Sequence, residues 1–346
     1  MRPLTFVVGT GRTGSTALSR ILNLHPDVLS LNELFVSLNG PAGLTGEPVD
    51  GERFWRILTD PHPVFDAMIR AGTPLPEFLH ARRSGGHEAG PTGTPALSLM
   101  VLPHLTDDPD GLLDELAPRV TSWPRRPAAR HYESFFALLA DRFGRRAVVE
   151  RSGHSLAWVP TLHASFPGAR FVHMYRHGPD CALSMSRHPG YRAAGLALDI
   201  LERTGVDHLS ELTDAHVRQL PTGLAEVVAN RFDPVRIMDH SPSPAVFGSV
   251  WSEMIKQGAV HLAAVPAASR TALGYERLLA APDEELTRLA EFAGVEPHAE
   301  WLEAGRRLLD GSRRGAASRL PARELAALEE RCSPGARVLR EALAAT

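Results

Sequence analysis

Leu4-Thr5-Phe6-Val7-Val8-Gly9-Thr10-Gly11-Arg12-Thr13-Gly14-Ser15-Thr16 is the stretch that decides the fold. The run from Leu4 to Val8 is short, β-branched and apolar, and it stops at Gly9, the pattern of a strand buried on both faces. From Ser15 to Leu24 the apolar residues Leu18, Ile21, Leu22 and Leu24 share one helical face, and His25-Pro26 ends the pattern. Strand, glycine turn and helix in this order bring backbone N–H groups and a helix N-terminus to one point, where an anion can be cradled. Arg12 adds a fork of donors suited to a phosphate or sulfate oxygen.

Gly9 and Gly14 have the spacing of a P-loop, yet Ser15 stands where a nucleoside triphosphatase needs a lysine for its β- and γ-phosphates. The loop therefore reads as a phosphate loop of another kind. Outward from it, regular order resumes with a helix near His131 to Phe143, a strand Ala147-Val148-Val149, a helix near Ser155 to Phe166 and a strand from Arg170 to Tyr175. A later strand signal lies at Thr271-Ala272-Leu273, and a helix opens at Trp251 and runs to Ala264. Such alternation argues for a parallel sheet covered by helices on both faces. Residues 39–130 are less regular, with a helix around Phe54 to Leu58 and a Gly-rich run from Ser84 to Gly93. This stretch and residues 191–266 read as inserts forming a substrate lid on one domain that spans residues 1–346.

Bulk composition narrows the function. The net charge of -3 gives no basic excess for a nucleic-acid or anionic-membrane surface, so an anion must be gripped locally. Lys256 is the only lysine, and the arginine-rich composition lowers the weight of any single arginine. Cys181 and Cys332 are far apart, without metal-ligand spacing, and the sixteen histidines are not clustered as ligands, so no metal site is expected. The apolar run at the N-terminus is too short for a signal peptide or membrane span, and a cytoplasmic protein is the expectation.

A second anion site follows the strand ending at Tyr175. Arg176-His177-Gly178-Pro179 leads into a helix, Pro179 suiting its first turn, and Ser184 lies eight residues after Arg176. With the glycine loop, this pair of motifs resembles the family of sulfotransferases that use 3′-phosphoadenosine 5′-phosphosulfate (PAPS). The resemblance extends through Phe166-Pro167-Gly168-Ala169-Arg170, Glu150-Arg151-Ser152-Gly153-His154 and Tyr275-Glu276-Arg277-Leu278, and covers about residues 4–35, 147–190 and 270–320. It is closest in spacing to the tyrosylprotein and carbohydrate branches.

The resemblance implies a P-loop-like three-layer α/β/α fold. It implies that Gly11, Arg12, Thr13, Gly14, Ser15 and Thr16 bind the 5′-phosphosulfate, and that Arg176 and Ser184 bind the 3′-phosphate. Tyr275 is then expected near the adenine, and Arg313 and Arg314 in a loop that closes on the nucleotide. Arg12, Thr13 and Arg151 are expected to spread the charge on the leaving phosphate; Arg12 and Arg151 stand where cytosolic members carry lysines. The product would be 3′-phosphoadenosine 5′-phosphate (PAP), with no metal required. Glu33, in Leu29-Ser30-Leu31-Asn32-Glu33 and 21 residues after Arg12, is the expected general base, with His154 the rival. The expected partner is a small-molecule acceptor with a hydroxyl group; lipid, carbohydrate and peptide tyrosine stay open, as does a homo-oligomer. The competing readings are a P-loop small-molecule kinase and a nucleotide-binding protein without catalysis.

Overall fold

In the computed structural model, the described residues are 2–72, 74–79, 93–230, 233, 237, 239–240, 242–312 and 314–344. Five strands, β1 (Leu4–Gly9), β2 (Val28–Asn32), β3 (Ala147–Arg151), β4 (Arg170–Tyr175) and β5 (Arg270–Gly274), form one sheet in the order β2-β3-β1-β4-β5. Every neighbouring pair is parallel, with Phe6 in register with Glu150 on one side and Phe171 on the other. The chain leaves β1 for β2 on one flank, and the later β3-to-β4 connection passes to the other, so the order reverses around β1. In an open parallel sheet the crevice beyond the strand ends at such a reversal is where ligands bind.

Alternation along the strands builds the three layers. Phe6 and Val8 face a core with Tyr132, Phe135 and Leu139 from helix Ala128–Arg142 and with Val159 and Leu162 from helix Val159–Ser165. Val7, Val149 and Val172 face the opposite core, with Leu18, Ile21 and Leu22 of helix Ser15–Asn23 and with Leu286 and Leu289.

Several local expectations change. The expected helix from Ser155 opens with a 3-10 turn, Leu156–Trp158, before the α-helix Val159–Ser165. Trp251 does not open a helix: helix Pro244–Ala263 starts seven residues earlier, with Ser243 capping it and Pro244 in its first turn, and buries Trp251 at mid-length. β2 had no strand assignment from sequence.

The inserts carry cores of their own. Residues 39–130 contain helices Gly51–Thr59, Pro63–Arg70, Ala96–Met100, Leu102–Leu105 and Pro109–Thr121. Met68, Ile69, Leu75, Phe78, Leu99 and Met100 form a satellite cluster there, with Val36 and Phe65 against it. A second cluster, including Leu196, Ile200, Leu224 and Val227, joins helix Pro189–Thr204 to helix Thr222–Ala229. Most of the Gly-rich run from Ser84 lies outside the described residues. Among the described residues no helix is long and apolar enough to cross a membrane.

Candidate active site

β1 must end in glycine: a Cβ on Gly9 would lie 2.6 Å from the Met174 carbonyl oxygen of β4. The loop then turns through left-handed backbone at Gly11 and Gly14, and Gly14 caps helix Ser15–Asn23 without a side-chain bond. The amides of Ala17 and Leu18 turn back to the Gly14 carbonyl. Those of Ser15 and Thr16, ahead of them, are the first-turn donors that a helix start offers an anion.

Two tyrosines press on this loop. Tyr275, at the start of the helix after β5, lies against Gly14, where a Cβ would come within 2.4 Å of its ring, and its hydroxyl donates to the Asp310 carbonyl at 2.9 Å. Tyr191 donates its hydroxyl to the Thr10 carbonyl at 2.7 Å and closes over Gly11. Beneath, the buried Cys181 thiol donates to the Gly11 carbonyl at 3.3 Å.

Arg176 and Ser184 meet the loop. Arg176, 4% exposed, donates to the Arg12 carbonyl at 3.3 Å and lies 4.9 Å over the Tyr275 ring; Ser184 Oγ accepts from Arg12 Nε at 3.2 Å. These residues line a cavity of about 330 Å³ together with Ser15, Thr16 and Arg20. Arg20 was missed from sequence; its signal was its place one helical turn after Thr16.

Glu33 follows β2, its amide bonded to the Arg151 carbonyl at 2.7 Å. One carboxylate oxygen accepts from Arg151 Nη1 and the other from the Gly153 amide at 2.8 Å, while Arg151 Nη2 reaches Asn32. Behind it, Ser152 Oγ donates to Glu150 at 2.6 Å and accepts from the Phe35 amide at 3.1 Å, fixing the turn after Glu33. Burial in the sheet pushes the Glu150 carboxyl up to about 8, against the Ser152 hydrogen bond and with help from the Glu33 charge. The His154 ring opens into a concavity whose protein walls lower its pKa by desolvation.

Among the described residues, four other than glycine have positive φ: Arg12 (57°), Glu33 (56°), Asn39 (61°) and His154 (58°). Left-handed backbone is costly for such residues and gathers where function holds it. Three of these four line a single cavity of about 290 Å³, whose other walls include Phe65, Leu75, Glu77, Met100, His188 and Tyr191. It meets the first cavity at Arg12, Ser15 and Thr16, which line both. Glu77 and His188 carried no sequence signal; they meet only through the fold, Glu77 pairing with Arg12 at 2.8 Å and with His188 at 2.9 Å.

Not every expected residue reaches a wall. Arg151 and Thr13, each 1% exposed, line neither cavity. Arg314 lies across Arg176 from the loop, in a further depression lined by both. Its loop is tied to the buried Asp180, which accepts from the Gly315 amide at 2.9 Å and the Ala317 amide at 2.8 Å. Arg313 lies outside the described residues. Among the described residues no group of three or more histidine, cysteine, aspartate or glutamate side chains is placed to hold a metal ion.

A parallel sheet with a glycine loop at its switch point, and an arginine–serine pair at the next strand end, defines a P-loop-like α/β fold. Residues 3–83, which carry the loop and Glu33, match the model of the sulfotransferase family. PAPS-dependent sulfuryl transfer is the function this supports, with the acceptor unspecified. No curated protein sequence matches the chain. Among solved structures it is similar to the sulfotransferase domain from the curacin biosynthetic pathway (13% identity, 99% of this chain and 97% of that one, TM-score 0.47). It is also similar to the sulfotransferase domain of the Synechococcus PCC 7002 olefin synthase (15%, 98% and 94%, 0.45) and to a sulfotransferase from Alicyclobacillus acidocaldarius (17%, 99% and 96%, 0.42).

Proposed function

We propose that the protein is a cytoplasmic, single-domain O-sulfotransferase that carries the sulfuryl group of PAPS to the hydroxyl of a small molecule. The observation that carries this reading is the meeting of two cavities at Arg12, Ser15 and Thr16. One holds two further arginines and suits the nucleotide; the other holds Glu33 and His154 and suits an acceptor. A volume of about 290 Å³ fits a compact molecule better than a polymer chain.

The nucleotide site fits PAPS by its own geometry. Gly14 leaves the space in which Tyr275 sits, Arg176 and Ser184 are held for the 3′-phosphate, and Gly11 and the first-turn amides frame the 5′ end. Arg314 is placed to reach the 3′ side from its anchored loop. Bound there, PAPS supplies the sulfuryl group and the leaving phosphate. Arg12 orients the transferred group and offsets its charge. Glu33 takes the hydroxyl proton: each of its oxygens is engaged once and retains another lone pair. Arg151 is then a positioning residue, acting through Glu33. His154 is the second reading for the base, favoured by its open ring, to which no described residue hydrogen-bonds.

Calorimetric titration with PAP, 5′-AMP and ATP, with and without magnesium, tests the donor assignment. Tight PAP binding that needs the 3′-phosphate, and that weakens about 100-fold in Arg176→Ala and measurably in Ser184→Ala, is expected. Stronger binding of ATP with magnesium, indifferent to both variants, would replace this reading with the kinase, for which Ser15 supplies no lysine.

A further inference from the structure

Glu77 gives the acceptor cavity a charge that proton removal by Glu33 does not require. It comes from the insert, its side chain is 19% exposed, and its two oxygens are taken by different walls: Oε1 by Arg12 and Oε2 by His188. A carboxylate this dehydrated is costly unless it is matched. Among the described residues, Arg12 is also the only arginine shared by the two cavities. A sulfuryl group seated at the junction therefore competes with Glu77 for the same guanidinium.

Among the described residues lining this cavity there is no other arginine or lysine. Glu33 is itself anionic and is matched from behind by Arg151. Desolvation holds His154 below its ordinary value, which leaves it neutral near pH 7. His188 accepts the Gly190 amide on Nδ1 at 3.1 Å and so caps helix Pro189–Thr204, and it meets Glu77 through its other nitrogen. The Tyr191 hydroxyl is committed to Thr10, and burial pushes its ionisation up. Once Arg12 turns to the sulfuryl group, Glu77 loses its arginine and keeps His188 as its side-chain partner.

We propose that the acceptor brings the counter-charge: it is a hydroxyl compound that also bears a protonated amine, its hydroxyl directed to Glu33 and its ammonium to Glu77. Val36, Phe65, Leu75 and Met100 supply the apolar wall for the carbon frame between them. This deepens the sulfotransferase reading and rests on it.

Tyramine and 4-propylphenol have nearly the same shape and differ by the ammonium. Each is titrated calorimetrically, at pH 7.5 with PAP present, into the wild-type protein and into Glu77→Gln. Tyramine should bind the wild type about tenfold or more tightly than 4-propylphenol, the scale of one desolvated charge pair. In Glu77→Gln the two should agree within about twofold, while PAP affinity, which also reports folding, persists. Equal binding of the probes to the wild type, binding of neither, or a preference that survives in Glu77→Gln overturns the proposal. Wild-type protein that fails to bind PAP overturns the donor reading instead.

Discussion

On the donor side, Arg12, Arg176, Ser184 and Tyr275 all stand at the ends of β1, β4 and β5 or on the helices that follow them. On the acceptor side, Phe65, Leu75, Glu77 and Met100 come from one insert, and Tyr191 comes from a second helical excursion. The donor half is thus built on hydrogen-bonded strand ends that cannot move without breaking the sheet. The acceptor half rests on satellite cores, the first with six buried side chains among the described residues. Local stability follows buried apolar contact, so the acceptor half is the part that can open, and the part in which substitution can change what is bound while the donor site stays intact. Arg12, Ser15 and Thr16 tie the halves together, and Arg12, like Glu33 in the acceptor cavity, sits in left-handed backbone.

The division can be broken most sharply at Glu33. Glu33→Gln should lower kcat by about 10²- to 10⁴-fold, the range for loss of a general base, while PAP affinity stays within about twofold. Calorimetry on the same preparation separates this from misfolding, because the substitution disturbs the buried Arg151 pair. A comparable loss in His154→Ala, with Glu33→Gln active, would move the base to His154.

Glu150 lies beneath both halves, and its effect appears in stability. Its carboxyl ordinarily titrates near 4.5 and stands at about 8 in the fold, so between these values the folded chain holds a proton that the unfolded chain has lost. Stability therefore falls as pH rises through that window, by up to about 1.4 kcal/mol per pH unit. Glu150→Gln retains an acceptor for Ser152 and should flatten the slope in denaturant melts between pH 5 and 8. An unchanged slope would mean that Glu150 is already ionised there.

The smallest effect is expected at Tyr275. Tyr275→Phe removes the hydroxyl bond to the Asp310 carbonyl, worth about 1 kcal/mol, and keeps the ring against Gly14 and Arg176. Thermal melts should register a small loss, with acceptor KM unchanged; a shifted acceptor KM would show that the halves are coupled through the loop.

Local sequence carried far into the donor half because its signals are short. β1, the glycine loop and the first helix lie within about 20 residues, and the unit from β4 through Arg176 to Ser184 is shorter still. Hydrophobic period and glycine placement suffice when the contacts that matter are sequence neighbours. β2 escaped notice because Val28-Leu29-Ser30-Leu31-Asn32 reads as a mixed run of five residues. It is a buried strand because β3, more than a hundred residues away in the chain, supplies its hydrogen bonds. Glu33 could be nominated from its spacing to Arg12, but its hold by Arg151 and Gly153 could not.

By itself the sequence determined the strand–loop–helix units, the two anion motifs and thereby the donor class, since each is encoded by residues that touch within one or two turns of chain. Only the tertiary structure decided that Arg151 stands behind Glu33, that Arg20 joins the nucleotide cleft, and that Glu77 meets Arg12 across 65 residues and His188 across 111. Those pairings depend on where two inserts fold back over the sheet. Their positions are set by packing among distant side chains, and no local pattern of charge or hydrophobicity records them.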